Sequence, residues 1–312
     1  MLSVVVARHN RARLAPNLNL KDMMIEFLPT MPSVRLLDGA LASTICLALA
    51  GTCFAASPGE SPWVKESYSR VRLVSGTGAG DGQHLAGVQI RLDPGWKTYW
   101  RTPGDSGVPP SFDWSGSKNV KQAQVLYPAP RRFADASGTA IGYEEEVVFP
   151  VIVTPLRPDQ PVELKLNLGY GLCKTLCIPN EASLSIELPP QVAAGHGDDL
   201  LLTRFVDLVP KPAEPDKLPA LGGVEAKLDG ANSKLIIYAH FPDGATGTDL
   251  FIEAPGGAFI PVPKALGPLE GVQQRFVVSF ASSAEVAALK GKSLTLTLIS
   301  DEGAREASWT LE

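Results

Sequence analysis

Two cysteines, Cys173 and Cys177, are the residues of this 312-residue chain best suited to chemistry. Along one extended strand their Cα atoms would lie about 13 Å apart, whereas a disulfide needs roughly 4.4–6.8 Å. The backbone must therefore turn back between them. Gly169 and Gly171 before the pair and Pro179 after it favour such a turn. We expect the pair on a tight loop or at the bent ends of two strands.

A disulfide between these cysteines would close a small ring, which favours a strained and exchangeable bond. Closing so short a loop also adds little stability to a chain with large apolar cores. In this interpretation one cysteine attacks a partner disulfide as a thiolate, and the other resolves the mixed disulfide. The sequence does not show which of the two attacks.

Other interpretations of the cysteine pair stay open. One is a purely structural disulfide. Another is a zinc site, although a closed site needs four ligands and His84, His196 and His240 have no ligand spacing to the cysteines. A thioredoxin-type site fails, because the spacing is not C-x-x-C and no βαβ pattern surrounds it. We therefore expect a redox-active disulfide with no metal and no further cofactor.

Charged residues near the pair could tune the thiols. Lys174 directly follows Cys173 and would favour the thiolate. Four carboxylates could act as acid or base groups if their loop folds over the cysteines: Asp135, Glu144, Glu145 and Glu146. Side chains of these types are also common on ordinary solvent-facing surfaces.

The two remaining cysteines, Cys46 and Cys53, lie in an apolar run at residues 41–54. Arg35 precedes this run and small residues follow it, which is the layout of a secretory signal peptide. The alternatives are a buried helix and a lipid anchor on Cys53, although Ala50-Gly51-Thr52 before that cysteine matches the usual Leu-Ala-Gly pattern poorly. Such a signal peptide would direct the chain to the periplasm, an oxidising compartment. We expect cleavage after Ala55, which would remove both cysteines from the mature chain.

Composition narrows the class of partner. The chain carries 28 basic and 33 acidic side chains, a net charge of −5, and loss of the first 55 residues removes five basic and three acidic ones to leave −7. No basic cluster stands out, so nucleic acid is not an expected partner. Beyond the N-terminal run, no apolar stretch approaches the ~20 residues of a membrane-spanning helix.

Short alternating or apolar segments, separated by Gly, Pro, Asp and Asn, are typical of β-sandwiches. In the first half they predict strands at residues 71–76, 85–93, 147–156, 162–170 and 182–189. In the second half they predict strands at residues 234–241, 248–255, 273–281, 292–301 and 307–312. Short helices are predicted at residues 198–208 and 283–289.

A Pro-rich stretch divides the two halves. The predicted organisation is an N-terminal extension and signal peptide at 1–56, a first sandwich with the cysteines at 57–190, a short helix and linker at 191–219, and a second sandwich at 220–312. The expected fold class is all-β, with two sandwich domains joined by the linker.

Four segments of the first half together resemble a known family: GWKTYWRTPGDSGVPPSFDW (95–114), YPAPRRF (127–133), GYEEEVVFPV (142–151) and YGLCKTLCIPNEA (170–182). They resemble the periplasmic N-terminal domain of the thiol reductant transporter DsbD. The closer likeness is to its ScsB branch, whose cysteines are similarly spaced. The resemblance covers roughly residues 60–190.

The resemblance implies an immunoglobulin-like domain that accepts electrons from a membrane-embedded dithiol and passes them to exported thioredoxin-like proteins. It also implies a second immunoglobulin-like domain, which residues 220–312 would supply. A cap over the cysteines is implied as well, with four aromatic candidates: Tyr99, Trp100, Phe133 and Tyr143. For Trp96, Trp100 and Trp114 core packing is the stronger expectation, because aromatic rings supply much of a sandwich's buried area.

DsbD and ScsB continue into a membrane domain and a thioredoxin-like domain, whereas this sequence ends at Glu312. The expectation is an isolated exchange module whose electron donor is a separate membrane protein. The alternative is a two-domain binding or chaperone module with a structural disulfide. A role in copper handling follows only from the association of ScsB-like proteins with copper tolerance, and no Met/His cluster supports copper binding.

Overall fold

A computed structural model describes residues 59–105, 107–135, 138–190, 199–228, 232–268 and 270–312. The signal segment predicted within residues 1–56 lies outside these ranges, as does His196. Strands dominate the described residues and form four sheets in two sandwiches, each with its own apolar core. The all-β fold class is confirmed. In the ranges given, no helix is long and apolar enough to cross a membrane.

The first sandwich consists of strands β1 (Val64–Glu66), β2 (Ser69–Gly80), β3 (Gln83–Leu92), β4 (Lys97–Gly104), β5 (Ser111–Asp113), β6 (Val120–Val125), β7 (Arg131–Asp135), β8 (Gly138–Glu144), β9 (Glu146–Pro155), β10 (Val162–Cys173) and β11 (Cys177–Leu188). One sheet has the order β1-β2-β3-β9-β6. The other has the order β11-β10-β4-β8-β7, with β5 also paired to β10. All five strands predicted for this half overlap observed strands.

The alternation of residue types explains why β10 and β11 form a long hairpin. Along β11 buried residues alternate with exposed ones, and Ala182, Leu184, Ile186 and Leu188 face the core. A period of two puts one face of a strand against the core and the other in solvent. Because β10 carries a matching row of buried leucines, the two strands share one apolar face up to their connecting turn.

Helix α1 (Asp199–Asp207) packs on the first sandwich, where Leu202 and Phe205 are buried in its core cluster. Gly87 makes room for it, since an added Cβ there would lie 2.6 Å from Leu202 Cδ2. After the helix, the carbonyl of Leu208 accepts a hydrogen bond from the backbone N–H of Ala129 at 2.8 Å. The helix predicted at residues 198–208 is confirmed over its described part.

The second sandwich consists of β12 (Lys211–Pro212), β13 (Ala220–Lys227), β14 (Lys234–His240), β15 (Asp249–Glu253), a 3₁₀ turn (Pro255–Gly257), β16 (Lys264–Ala265), β17 (Gln273–Ser279), α2 (Ser283–Ala287), β18 (Ser293–Ser300) and β19 (Gly303–Thr310). Its sheets have the orders β12-β19-β18-β15 and β13-β14-β17-β16. Each strand predicted for this half overlaps an observed strand. The predicted helical turn is α2, which Ser282 caps by accepting a hydrogen bond from the N–H of Glu285.

The Pro-rich stretch packs against the second sandwich. There β12 pairs in parallel with β19, with Lys211 opposite Arg305. The Arg305 guanidinium donates hydrogen bonds to the carbonyls of Pro212 at 2.9 Å and Leu218 at 3.3 Å, and it pairs with Glu214 at 3.0 Å. These contacts tie the segment between α1 and β13 to the sheet edge.

Candidate functional site

The two cysteines face each other at the end of a β-hairpin. β10 ends at Cys173 and β11 begins at Cys177, and twelve paired positions run from Val162 opposite Leu188 to Cys173 opposite Cys177. Their Cα atoms lie 4.1 Å apart and their sulfur atoms form a disulfide. The chain turns back over residues 174–176, as the spacing of the cysteines requires.

A row of side chains crosses the sheet from the disulfide. Cys173 pairs with Lys97 of β4, and Lys97 pairs with Glu144 of β8. The Lys97 ammonium lies 3.1 Å from the Glu144 carboxylate and 5.1 Å from the ring centroid of Phe133. A carboxylate and an aromatic face together hold this cation. The row therefore places a positive charge at the strand position next to Cys173.

Tyr99 supplies the direct contact with sulfur. Its hydroxyl lies 3.3 Å from Sγ of Cys177, although only 2% of the residue is exposed. Because a disulfide sulfur carries no hydrogen, the hydroxyl is the donor. Tyr99 follows Lys97 by two positions on β4, so both side chains lie on one face of the strand.

Glycines make room for the Tyr99 ring. An added Cβ would lie 3.1 Å from Tyr99 Cδ2 at Gly171 and 2.4 Å from Tyr99 Cε1 at Gly107. Gly107 also has a φ of 141°, which side-chain-bearing residues rarely adopt. The sequence predicted Gly171 as a turn residue, but it lies inside β10. Its missing side chain admits the tyrosine ring.

Lys174 braces the hairpin turn. Its ammonium donates to the carbonyl of Pro94 at 3.2 Å, and its side chain passes over Gly95. The lysine in the same row as the disulfide is Lys97, which the sequence analysis did not single out. The available signal was its position two residues before Tyr99 in a predicted aromatic cap, a spacing that puts both on one strand face.

Two of the aromatic cap candidates lie in the core. Trp100 is fully buried and its ring lies 5.7 Å from that of Phe251. Tyr143 is buried and donates its hydroxyl to the carbonyl of Pro128 at 2.8 Å. Burial raises the pKa of the Tyr143 hydroxyl well above its ordinary value. Among the contacts of the described residues, Tyr99 is the cap candidate that touches a cysteine.

The neighbouring carboxylates differ in their surroundings. Glu145 has a φ of 61° in the turn between β8 and β9. Glu146 accepts hydrogen bonds from Arg91 and from Gln89, each at 2.6 Å. Burial alone would raise the pKa of Glu146, but these hydrogen bonds and the Arg91 charge lower it. Asp135 ends β7, and its side chain is outside the described part of the structure.

Several apolar residues near the end of β10 are exposed or half-buried. Leu176 at the hairpin turn is 68% exposed. Val108 is also exposed, and its carbonyl oxygen would lie 3.2 Å from a Cβ on Gly171. Trp96, next to Lys97, is half-buried, and its ring stacks on that of Tyr68 with centroids 4.1 Å apart. Such a surface fits contact with another protein.

The prediction that Trp114 packs in the core also finds support. Trp114 packs against the first core while remaining partly exposed, and its ring lies parallel to that of Phe112 at 6.5 Å.

His84 is buried in the same sandwich, where desolvation lowers its pKa. Over the described ranges, no group of three or more His, Cys, Asp or Glu side chains could hold a metal ion.

Two comparisons with known proteins found similarities to this chain. Residues 71–189 match the family model described as thiol:disulfide interchange protein DsbD, N-terminal. The chain is similar to the crystal structure of the N-terminal periplasmic domain of ScsB from Proteus mirabilis, at 22% identity and a TM-score of 0.63, over 82% of this chain and 99% of that one. No curated protein matches the sequence. The family match over residues 71–189 confirms the resemblance of this region to the DsbD N-terminal domain, and the structural likeness confirms the immunoglobulin-like fold.

Proposed function

We propose that this chain is an exported, periplasmic thiol-disulfide exchange module of the protein-disulfide reductase type, working through Cys173 and Cys177. The observation that carries the proposal is the disulfide at the end of the hairpin, with the Tyr99 hydroxyl on one of its sulfur atoms. The match of residues 71–189 to the DsbD family supports this chemistry. The similar ScsB structure is a periplasmic domain, which supports the location.

The disulfide adds little to a hairpin that is already complete. Twelve paired positions hold β10 to β11, and the cysteines are only the last of them. A bridge that closes so short a loop removes little entropy from the unfolded chain. A purely structural purpose therefore explains the pair poorly, and the proposed exchange needs no cofactor beyond the two thiols.

Cys177 is the attacking cysteine in this proposal. It is exposed, whereas Cys173 is half-buried in the row beside Lys97. The Tyr99 hydroxyl that touches Cys177 Sγ in the disulfide can donate the same hydrogen bond to a thiolate. Exposure and a donor that stabilises the thiolate both favour the reactivity of a thiol.

The exchange balances in two steps. The Cys177 thiolate attacks a partner disulfide, so that a Cys177–partner S–S bond forms and the second partner sulfur leaves as a thiolate. The Cys173 thiolate then attacks Cys177 Sγ, which forms the intramolecular disulfide and releases the first partner sulfur. Two electrons pass to the partner, whose two thiolates take up protons from solvent.

The proposed partners are a membrane-embedded dithiol transporter as electron donor and exported thioredoxin-like proteins as acceptors. The exposed apolar residues Leu176, in the turn between the cysteines, and Val108, whose carbonyl lies near Gly171, provide a surface on which either partner could dock. Both partners would use the same hairpin end, so they must bind in turn.

Mixed-disulfide trapping tests the proposal. In a Cys173→Ala variant the Cys177 thiolate can attack but nothing resolves the product, so an exported thioredoxin-like protein should accumulate as a covalent adduct. Cys177→Ala is the matched control, and we expect it to trap far less. Adducts are identified by mass spectrometry after non-reducing separation.

The alternative, a binding or chaperone module with a structural disulfide, predicts the opposite result. Neither variant would then trap a thioredoxin-like protein, and both would melt many degrees below the parent. That combination would overturn the exchange proposal.

A further inference from the structure

The regular pairing of strand β4 with β8 is interrupted just beyond Tyr99. β4 pairs with β8 in register from Lys97 to Tyr99, which lies opposite Gly142, and the next pair joins Gly104 to Ala140. One residue of β8 therefore stands opposite four of β4, residues 100–103. On the other side, β4 pairs with β10 through Lys97 and Thr98. The sheet alone thus leaves the chain that follows Tyr99 without a regular backbone register.

The second sandwich holds this irregular stretch. The guanidinium of Arg101 donates to both carboxylate oxygens of Glu253 on β15, at 2.6–3.0 Å, and also to Glu306 of β19. The hydroxyl of Thr102 donates to the same Glu253 at 2.7 Å. Trp100, between Tyr99 and Arg101, packs against Phe251 of the same strand β15.

Two carboxylates hold the Arg101 guanidinium in place by charge and by hydrogen bonds. Burial alone would lower the pKa of Arg101, but the hydrogen bonds and charges of Glu253 and then Glu306 raise it. The Thr297 hydroxyl donates to the Glu306 carboxylate at 3.3 Å and so orients it. Planar, two-point pairing of a guanidinium with a carboxylate fixes direction as well as distance.

We infer that the second sandwich positions the redox site. Arg101, which is ion-paired with Glu253 and Glu306, fixes the position of β4 so that the Tyr99 hydroxyl remains in contact with Cys177 Sγ. Arg101 is a positioning residue, because it acts on the thiol through Tyr99. The inference rests on the proposed function and deepens it, since it gives the second sandwich a purpose in the exchange.

A second ion pair across the same interface provides a matched control. Arg132 of β7 pairs with Asp249 of β15 at 2.9 and 2.6 Å. The side chains of Arg101 and Arg132 are 27% and 24% exposed, so the two pairs are similarly buried. β7 keeps an unbroken register with β8 over residues 131–135. Loss of Arg132 should therefore weaken the interface without freeing Tyr99.

The experiment measures the reactivity of Cys177 as a single thiol. In the Cys173→Ala background, the rate of alkylation by iodoacetamide is followed across pH for Arg101→Met and Arg132→Met. The hydrogen bond from the Tyr99 hydroxyl stabilises the Cys177 thiolate, the form that reacts. Loss of such a bond to a charged group should therefore slow alkylation at neutral pH about fivefold or more. We expect Arg101→Met to do so and to move the pH profile upward, while Arg132→Met leaves both unchanged.

Combination with Tyr99→Phe shows whether the effect passes through Tyr99. Once the hydroxyl is gone, Arg101→Met should have no further effect on alkylation. Circular dichroism checks that each variant folds. If Arg101→Met does not fold, Glu253→Gln takes its place; this variant keeps an acceptor for Arg101 and should slow alkylation in the same direction but less.

Three results would overturn the inference: no slowing by Arg101→Met or Glu253→Gln, equal slowing by Arg132→Met, or an undiminished effect of Arg101→Met in the Tyr99→Phe background. The assay uses a small reagent and needs no protein partner. Its failure is therefore distinct from a failure of partner trapping, which tests the proposed function.

Discussion

The hydroxyl of Tyr99 lies 3.3 Å from Sγ of Cys177, a residue 78 positions later in the chain. The sheet brings them together because Cys177 pairs with Cys173, which pairs with Lys97, two positions before Tyr99. A buried phenol thus reaches the sulfur atom of an exposed residue. This contact links the fold to the proposed chemistry.

Removing the Tyr99 hydroxyl should slow thiol exchange without unfolding the protein. Tyr99→Phe keeps the ring in its glycine-lined space but cannot donate to the Cys177 thiolate. We expect the reduced variant to react with glutathione disulfide about fivefold or more slowly, the effect of losing a hydrogen bond to a charged group. Stopped-flow or quenched kinetics measure the rate. An unchanged rate would remove Tyr99 from the mechanism.

Gly107 should be costly to replace, because its missing side chain makes room for Tyr99. In Gly107→Ala the new Cβ would lie 2.4 Å from the Tyr99 ring, at a φ of 141°. Gly80→Ala is the control, since Gly80 has a φ of 85° and nothing within 4 Å of its Cβ position. We expect Gly107→Ala to lower the free energy of unfolding by about 1–3 kcal/mol more than the control, as overpacking does. Urea denaturation provides the comparison, and equal losses would contradict the packing argument.

The ion pair of Glu146 with Arg91 should make stability depend on acidity. The folded-state pKa of Glu146 is lowered, so its contribution is present above the ordinary value of 4.5 and is lost as pH falls through the folded-state value. Glu146→Gln should therefore be less stable than the parent at pH 7, by up to about 1 kcal/mol for a partly exposed pair. The two proteins should converge in strong acid. A difference that persists unchanged there would assign the effect to packing instead.

Leu176 should matter for protein partners and not for small thiols. Its exposed side chain lies on the turn between the two cysteines, so Leu176→Glu would place a charge where a partner must approach. We expect slower exchange with a thioredoxin-like protein and an unchanged rate with glutathione. Leu200→Glu is the control, because Leu200 is 88% exposed on α1 and lies outside the hairpin. Equal effects of the two changes would contradict a docking surface at Leu176.

Local patterns in the sequence predicted much of this structure. Alternation of apolar residues located β10 and β11, because the period of two is a property of each strand by itself. The spacing of Cys173 and Cys177 required a reversal of the chain, because covalent geometry limits the reach of a disulfide. Both inferences need only neighbouring residues.

The contacts that tune the site depend on pairing between distant segments. Lys97 lies beside Cys173 only because β4 pairs with β10, and no local pattern specifies that partner. The contact of Arg101 with Glu253 spans 152 positions and joins two sandwiches. Gly171 looked like a turn residue because glycine serves both turns and close approaches of a ring, and the sequence does not separate these uses.

The equilibrium between Cys173–Cys177 and glutathione tests the central claim most directly. The protein is equilibrated in glutathione buffers of known potential, the free thiols are trapped by alkylation, and the reduced fraction is measured by mass spectrometry. We expect a reversible two-electron transition above about −300 mV with the fold intact, as for exposed exchangeable disulfides. A pair that stays fully oxidised down to potentials well below about −300 mV would behave as a structural disulfide and contradict the account.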